Sequence, residues 1–225
     1  MFAVLFEVHP KAEQWEAYLG YARLLRPELE RIDGFVDNIR YRSLTRDGWI
    51  LSLSNWRDEK ALVRWRTQAV HHGVQEKGRR QVFRDYHLRV GQLTRDTKLP
   101  AGQQLTEQRL DVTEVGAGAV ILLLDAKRSP ADAGNADALA RSLGLGAGAE
   151  ALIGWDVFDA VLTPGYALLM TAWRDDAAAE RFEADVPLAA DVRLRRIRIV
   201  RDYGMYDRRE APQYYPDAPD KDPAG

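Results

Sequence analysis

The segment Trp49-Ile50-Leu51-Ser52-Leu53-Ser54-Asn55-Trp56-Arg57-Asp58-Glu59, running on to Trp65, decides the fold, because the chain writes it twice. It returns as Tyr166-Ala167-Leu168-Leu169-Met170-Thr171-Ala172-Trp173-Arg174-Asp175-Asp176, running on to Phe182. In both copies an aromatic precedes the tryptophan by seven residues and another follows it by nine. The apolar stretch before each tryptophan reads as a strand. The Arg-Asp that follows reads as a helix N-cap, since an aspartate there accepts from the open backbone N–H groups of the first turn. With six tryptophans in 225 residues, a register this closely matched points to an internal repeat.

Working outward, each copy sits in the same order of elements. Residues 2–8 alternate as a strand, and residues 12–32 carry Trp15, Tyr18, Leu19, Ala22, Leu25 and Leu29 at helical spacing, with Pro27 placed to kink or split the last turn. Strands are expected over 35–44 and 49–56, a helix from Asp58, and a closing strand over 82–93. The second copy reads as a strand over 119–124, a short helix over 136–143, strands over 151–162 and 166–173, a helix over 175–184 and a strand over 194–200. The expected organisation is an α+β chain of two ferredoxin-like βαββαβ halves, 1–93 and 109–203, with a polar linker at 94–108 and a tail at 204–225. A four-stranded sheet with both helices on one face leaves the other face bare, so two such halves are expected to bury those faces against each other. The tail holds Met205, Tyr206, Tyr214 and Tyr215; it is expected to pack over a pocket mouth or a partner chain, with the last nine residues disordered.

Composition narrows the function classes. A net charge of −2 and a pI near 6.1 give no general attraction to nucleic acid or anionic membrane. No apolar run reaches the roughly 20 residues a membrane span needs. Without cysteine there is no disulfide, thiolate metal site or thiol nucleophile, and the chain reads as cytoplasmic.

The run Leu53-Ser54-Asn55-Trp56-Arg57-Asp58, with Trp65-Arg66, Gly78-Arg79 and Phe83-Arg84-Asp85-Tyr86-His87-Leu88-Arg89-Val90, resembles the antibiotic biosynthesis monooxygenase superfamily over residues 1–93. The second half resembles it mainly around residues 166–182. The resemblance implies a dimeric α+β barrel, here built from one chain, and an oxygenase acting with molecular oxygen on a small apolar or aromatic molecule between sheet and helices. It also implies rivals: a haem-binding protein or haem enzyme with a histidine axial ligand, or a binding module without chemistry. The haem-degrading branch places an asparagine on the first strand, where this chain offers Glu7 and Val8. That branch also places a tryptophan on the second helix, which Trp65 matches, and a histidine further along than His71 and His72 lie.

His72 or His71 is the expected base, or the axial ligand if haem is bound, with Trp65 beside it; the bland reading of the two histidines is a solvated helix end. Tyr86 and Phe83 are expected to shape the substrate site. Asn38 and Arg40 share a strand face with Arg42, which would be a cavity wall able to hold an anion or, as charged alternation more often is, a solvent face. The cofactor expectation is none or haem, with no metal. The partners expected are a small-molecule substrate and oxygen, and the one assembly left open is a homodimer of the pseudo-dimeric chain.

Overall fold

The computed structural model describes residues 1–106, 115–127, 135–146, 151–161, 164–186 and 188–207. In the first half, β1 (Phe2–Pro10) leads into α1 (Trp15–Glu30), then β2 (Phe35–Ser43), β3 (Ile50–Trp56), α2 (Glu59–Arg66), α3 (Ala69–Lys77) and β4 (Phe83–Asp96). The second half follows as β5 (Val120–Lys127), α4 (Ala136–Ser142), β6 (Leu152–Ala160), β7 (Tyr166–Trp173), α5 (Asp176–Asp185) and β8 (Arg193–Gly204).

The strands close into one antiparallel barrel in the order β1-β3-β2-β6-β7-β5-β8-β4. Each half contributes a ferredoxin-like 4-1-3-2 sheet, and the halves meet along two seams. At one, β4 and β8 pair from His87–Gly204 to Asp96–Arg195. At the other, Tyr41, Arg42 and Ser43 pair with Ala160, Asp159 and Phe158. Alternation sorts the strand residues between two cores. Ala3, Leu5, Leu51, Leu53, Phe158 and Ile197 fill the barrel, while Phe2, Val8, Trp56 and Val90 face the helices. Closure leaves the sheet without a free edge.

The repeat extends to individual contacts. Phe2 pairs with Trp56 as Val120 pairs with Trp173. The two indole N–H groups donate to Ser54 Oγ at 3.0 Å and Thr171 Oγ1 at 2.8 Å. Asp58 and Asp175 each accept from a backbone N–H three residues on, at 2.8 Å in both halves. The tryptophans are structural.

Four expectations need correction. Thr94–Asp96 belong to β4 rather than to a linker, because that strand continues along β8. Pro27 does not split α1, which runs through it to Glu30 and buries Leu29 against Trp56 and Leu62. The helix begun at Asp58 stops at Arg66, and a separate helix carries the two histidines. The tail region starts inside β8, which ends at Gly204; Met205 is then buried beside Tyr18 and Tyr86, its N–H donating to the Tyr86 carbonyl at 3.0 Å. Ala147, Gly148, Leu162, Thr163, residues 107–114 and the tail beyond Asp207, including the last nine residues, lie outside the described residues.

Sequence reading missed the charge inside the barrel. Glu7 points inward with Ala3 and Leu5, where it meets Arg89 and, at 2.5 Å, Arg46. Arg46 bridges onward to Asp156 of the other half at 2.6 Å, and Ser43 Oγ donates to the same carboxylate. The repeat reproduces the core of this cluster: by strand register Glu7 corresponds to Asp125 and Arg89 to Arg195, and those two pair at 2.7 Å. Burial alone would push the Glu7 carboxyl up, but the Arg89 and Arg46 guanidiniums hold it below the usual carboxylate range. The alternation of residues 2–8 was the available signal, since it assigns Glu7 to the face of Ala3 and Leu5.

Candidate functional site

A cavity of about 500 Å³ lies between the outer face of the first sheet and the helices α1, α2 and α3. Tyr18, Tyr21, Ala22, Leu25 and Leu29 of α1 form one wall, at the i, i+3, i+4 spacing that puts them on one helical face. The floor is the sheet: Val4 and Phe6 from β1, Asn38 and Arg40 from β2, Ser52 and Ser54 from β3.

All seven residues singled out in the sequence border this one cavity: His71, His72, Trp65, Tyr86, Phe83, Asn38 and Arg40. For Asn38 and Arg40 this overturns the preferred solvent reading. Their strand is covered by α1, and only Arg42, one step further, is well exposed, pairing with Asp159 at 3.3 Å. Tyr86 faces the cavity, whereas its neighbour His87 points the other way and donates Nε2–H to Asp202 at 2.5 Å. Of Glu7 and Val8, the two residues offered where the haem-degrading branch has its asparagine, Glu7 is turned into the barrel and Val8 packs with Tyr18 and Tyr86.

The break between α2 and α3 creates the pairing of Trp65 with His71. On one continuous helix, residues six apart would sit about 240° apart and could not touch. Here Thr67 Oγ1 donates to the Val63 carbonyl at 3.0 Å, ending α2, and Gln68 Oε1 caps α3 by accepting from His71 N–H at 2.7 Å. Gln68 Nε2 also donates to Glu28 on α1 at 3.2 Å. The chain reverses enough to lay the His71 ring flat on the Trp65 indole, centroids 4.0 Å apart and planes 13° apart.

His71 Nδ1 lies 2.9 Å from the Trp65 carbonyl. A carbonyl only accepts, so Nδ1 carries the proton and Nε2 keeps its lone pair. Burial lowers the His71 pKa to about 4, against the opposing pull of that carbonyl, and neighbouring His72 lowers it further. The ring is therefore neutral at pH 7. The sign of the consequence is fixed: the unfolded chain binds a proton near pH 6.5 and the folded chain does not, so stability present above pH 6.5 is lost as pH falls toward about 4. Chemical denaturation over that window should show the wild type losing roughly 3 kcal/mol relative to His71→Phe. Parallel curves would show that the ring is not desolvated.

A single turn of π-helix, Gly78–Val82, delivers the chain from α3 into β4. Gly78 is required there: a Cβ would lie 2.5 Å from the Phe83 ring, which forms part of the wall. Arg79 is buried beneath and donates to the Tyr86 hydroxyl at 3.1 Å.

Three buried polar atoms around the cavity have no hydrogen-bond partner among the described residues: the Tyr18 hydroxyl, Asn38 Oδ1 and Arg40 Nε. The Asn38 amide is oriented, since Nδ2 donates to Ser52 Oγ at 3.0 Å and to the Leu53 carbonyl at 3.1 Å. Burial raises the Tyr18 pKa, and the charge of Arg40 and its approach to the hydroxyl oppose the rise. Haem would suit one feature, the His71 Nε2 lone pair with its Nδ1–H anchored. The floor fits a porphyrin face poorly, since an apolar contact would leave those polar atoms unanswered; a propionate reaching Arg40 and Tyr18 would answer two of them. Titration with haem decides the matter: a Soret band that disappears in His71→Ala or His72→Ala identifies an axial ligand, and no band in any sample removes the haem reading.

Among the described residues, the second half does not repeat this cavity. α4 is far shorter than α1, and Leu139, Ala140, Leu143, Ala178 and Ala179 pack directly on the outer face of its sheet.

The family model described as antibiotic biosynthesis monooxygenase matches residues 1–77. A protein of Pyricularia oryzae strain 70-15 named jasmonate monooxygenase ABM is 47% identical over 224 residues, spanning 97% of this chain and all of that protein. Among solved structures, a candidate monooxygenase from Lactobacillus acidophilus NCFM is 10% identical, covering 89% of this chain and 94% of its own, at a TM-score of 0.38. An anthrone oxidase-like protein is 13% identical, covering 96% of each chain, at a TM-score of 0.34.

Proposed function

The chain belongs to the antibiotic biosynthesis monooxygenase family and is a monooxygenase in the general sense; on that premise we propose that it oxygenates a small, largely apolar carboxylic acid of the jasmonate type in the first-half cavity. The observation that carries the substrate class is the full-length relationship to the jasmonate monooxygenase of Pyricularia oryzae. The cavity supports it: about 500 Å³ suits a ligand of that size, and its walls are mostly aliphatic and aromatic.

In this reading the oriented His71 Nε2 is the base. An acidic C–H of the substrate gives up its proton to Nε2, and the resulting carbanion reduces oxygen directly. The C–H bond becomes C–O in a hydroperoxide, which loses water to leave a carbonyl, so that R₂CH₂ and O₂ become R₂C=O and H₂O without an external reductant. Burial keeps the imidazole unprotonated, so that Nε2 can accept, and keeps the site dry, which limits reprotonation of the carbanion by water before oxygen reacts. Trp65 holds the ring by stacking, and His72, Phe83 and Tyr86 enclose the reacting carbon.

The test is oxygen uptake by the purified chain with jasmonic acid, with the product followed by mass spectrometry. Uptake matched by a product carrying one added oxygen supports the reading. No uptake, with binding retained, would sink it in favour of a binding module.

A further inference from the structure

The internal repeat supplies a control for the polar cavity floor. By strand register, Asn38 corresponds to Trp155, Arg40 to Val157 and Ser52 to Leu169. At the three equivalent places the second half thus puts large apolar side chains, packed under its helices. The architecture therefore accepts apolar residues here. The first half instead carries an arginine, an amide and a hydroxyl, and leaves the Arg40 Nε, the Asn38 Oδ1 and the Tyr18 hydroxyl unsatisfied. Buried polar groups without partners are costly, so a fold that retains three around one cavity is matched to something that enters it.

What enters is set by charge. Arg40 has no carboxylate partner among the described residues, whereas most other buried or half-buried arginines on the strands are paired, Arg89 with Glu7, Arg193 with Asp96 and Arg195 with Asp125. The Tyr18 hydroxyl beside it is a donor and more than nine-tenths buried. A guanidinium and a phenol hydroxyl at one point form a receptor for an anionic, planar, oxygen-bearing group. The cavity also has direction. Tyr18 packs with the cluster of Val8, Ile50 and Tyr86, and Trp65 with that of Phe2, Leu29 and Trp56, at opposite ends of β1.

We infer that Arg40 and Tyr18 bind the ionised carboxylate of the substrate, fixing which end of the molecule reaches Trp65 and His71 and making the enzyme selective for the free acid over its neutral esters and amides. Asn38 Oδ1, one step along β2, accepts from a hydroxyl or N–H nearer the middle of the ligand. This rests on the acid substrate proposed above and goes beyond it, since that reading requires neither a carboxylate receptor nor discrimination against an ester.

Binding of jasmonic acid and of methyl jasmonate is measured by calorimetry and by quenching of tryptophan fluorescence, with oxygen uptake recorded separately, for wild type, Arg40→Met and Arg40→Lys. The expected result is tighter binding of acid than ester by about tenfold to a hundredfold in wild type. That preference should vanish in Arg40→Met and return in part in Arg40→Lys. The apolar residue at Val157 shows that the fold tolerates this change, and the wild-type comparison needs no variant. Equal binding of acid and ester, with oxygen consumed for both, overturns the inference and leaves the oxygenase reading standing. Selective, Arg40-dependent binding without oxygen uptake does the reverse. Binding of neither overturns both.

Discussion

His71→Ala should abolish most oxygen uptake while leaving the barrel intact. A positioned general base contributes typically about 10²- to 10⁴-fold. The His71 imidazole is oriented by a main-chain carbonyl, with its second nitrogen left unprotonated. The fall should appear in kcat rather than in the Kd for substrate, because the carboxylate receptor is elsewhere. His72→Ala is the control: that residue borders the cavity on the next helical position, about 100° round, and should cost less than about tenfold. Trp65→Phe should fall between the two, since a smaller ring still stacks on the imidazole. Comparable losses in His71→Ala and His72→Ala would remove His71 from its assigned role.

The largest stability effect is expected at Glu7. Glu7→Ala leaves Arg89 buried in the barrel without its carboxylate and frees Arg46 from one of its two anions. Breaking one partner out of a buried pair costs about 3–5 kcal/mol, much of it the desolvation of the charge left behind. For a chain of this size that is a fall in Tm of about 10 °C. The exposed pair of Arg42 and Asp159 lies at the same seam and has the opposite standing, so Arg42→Ala should cost under about 1 kcal/mol. Because the Glu7 carboxyl is held below its ordinary value, its contribution is complete above pH 4.5 and is lost as pH falls below that. Denaturation of Glu7→Ala at pH 7 with a change below about 1 kcal/mol would show that the cluster is not a structural tie.

The halves were legible in the sequence because duplication repeats whatever the fold needs: the tryptophan bonded to the hydroxyl two residues before it, the aspartate cap, the aromatic nine residues on. The border of the cavity was legible too, through aromatic and histidine residues placed on α2, α3 and β4. Two things were not. The contact of Trp65 with His71 depends on a helix break at Thr67–Gln68, and nothing in the periodicity of residues 59–77 marks one; the capping bonds that make it are visible only in three dimensions. The placement of Arg40 stayed open between solvent and cavity wall because charged alternation on a strand looks the same whether water or a cavity lies above it. Coverage by α1 decides the matter, and coverage is a tertiary fact.

Joining both sheets in one covalent chain also alters how the protein responds to dilution. A barrel assembled from two separate chains obeys mass action: below its dissociation constant the sheets part, and apolar faces such as Leu5, Leu53 and Ile197 meet water. In this chain the partner face is always present at a fixed effective concentration. Catalysis per molecule should therefore hold constant down to the scarcest copy number at which it can be assayed.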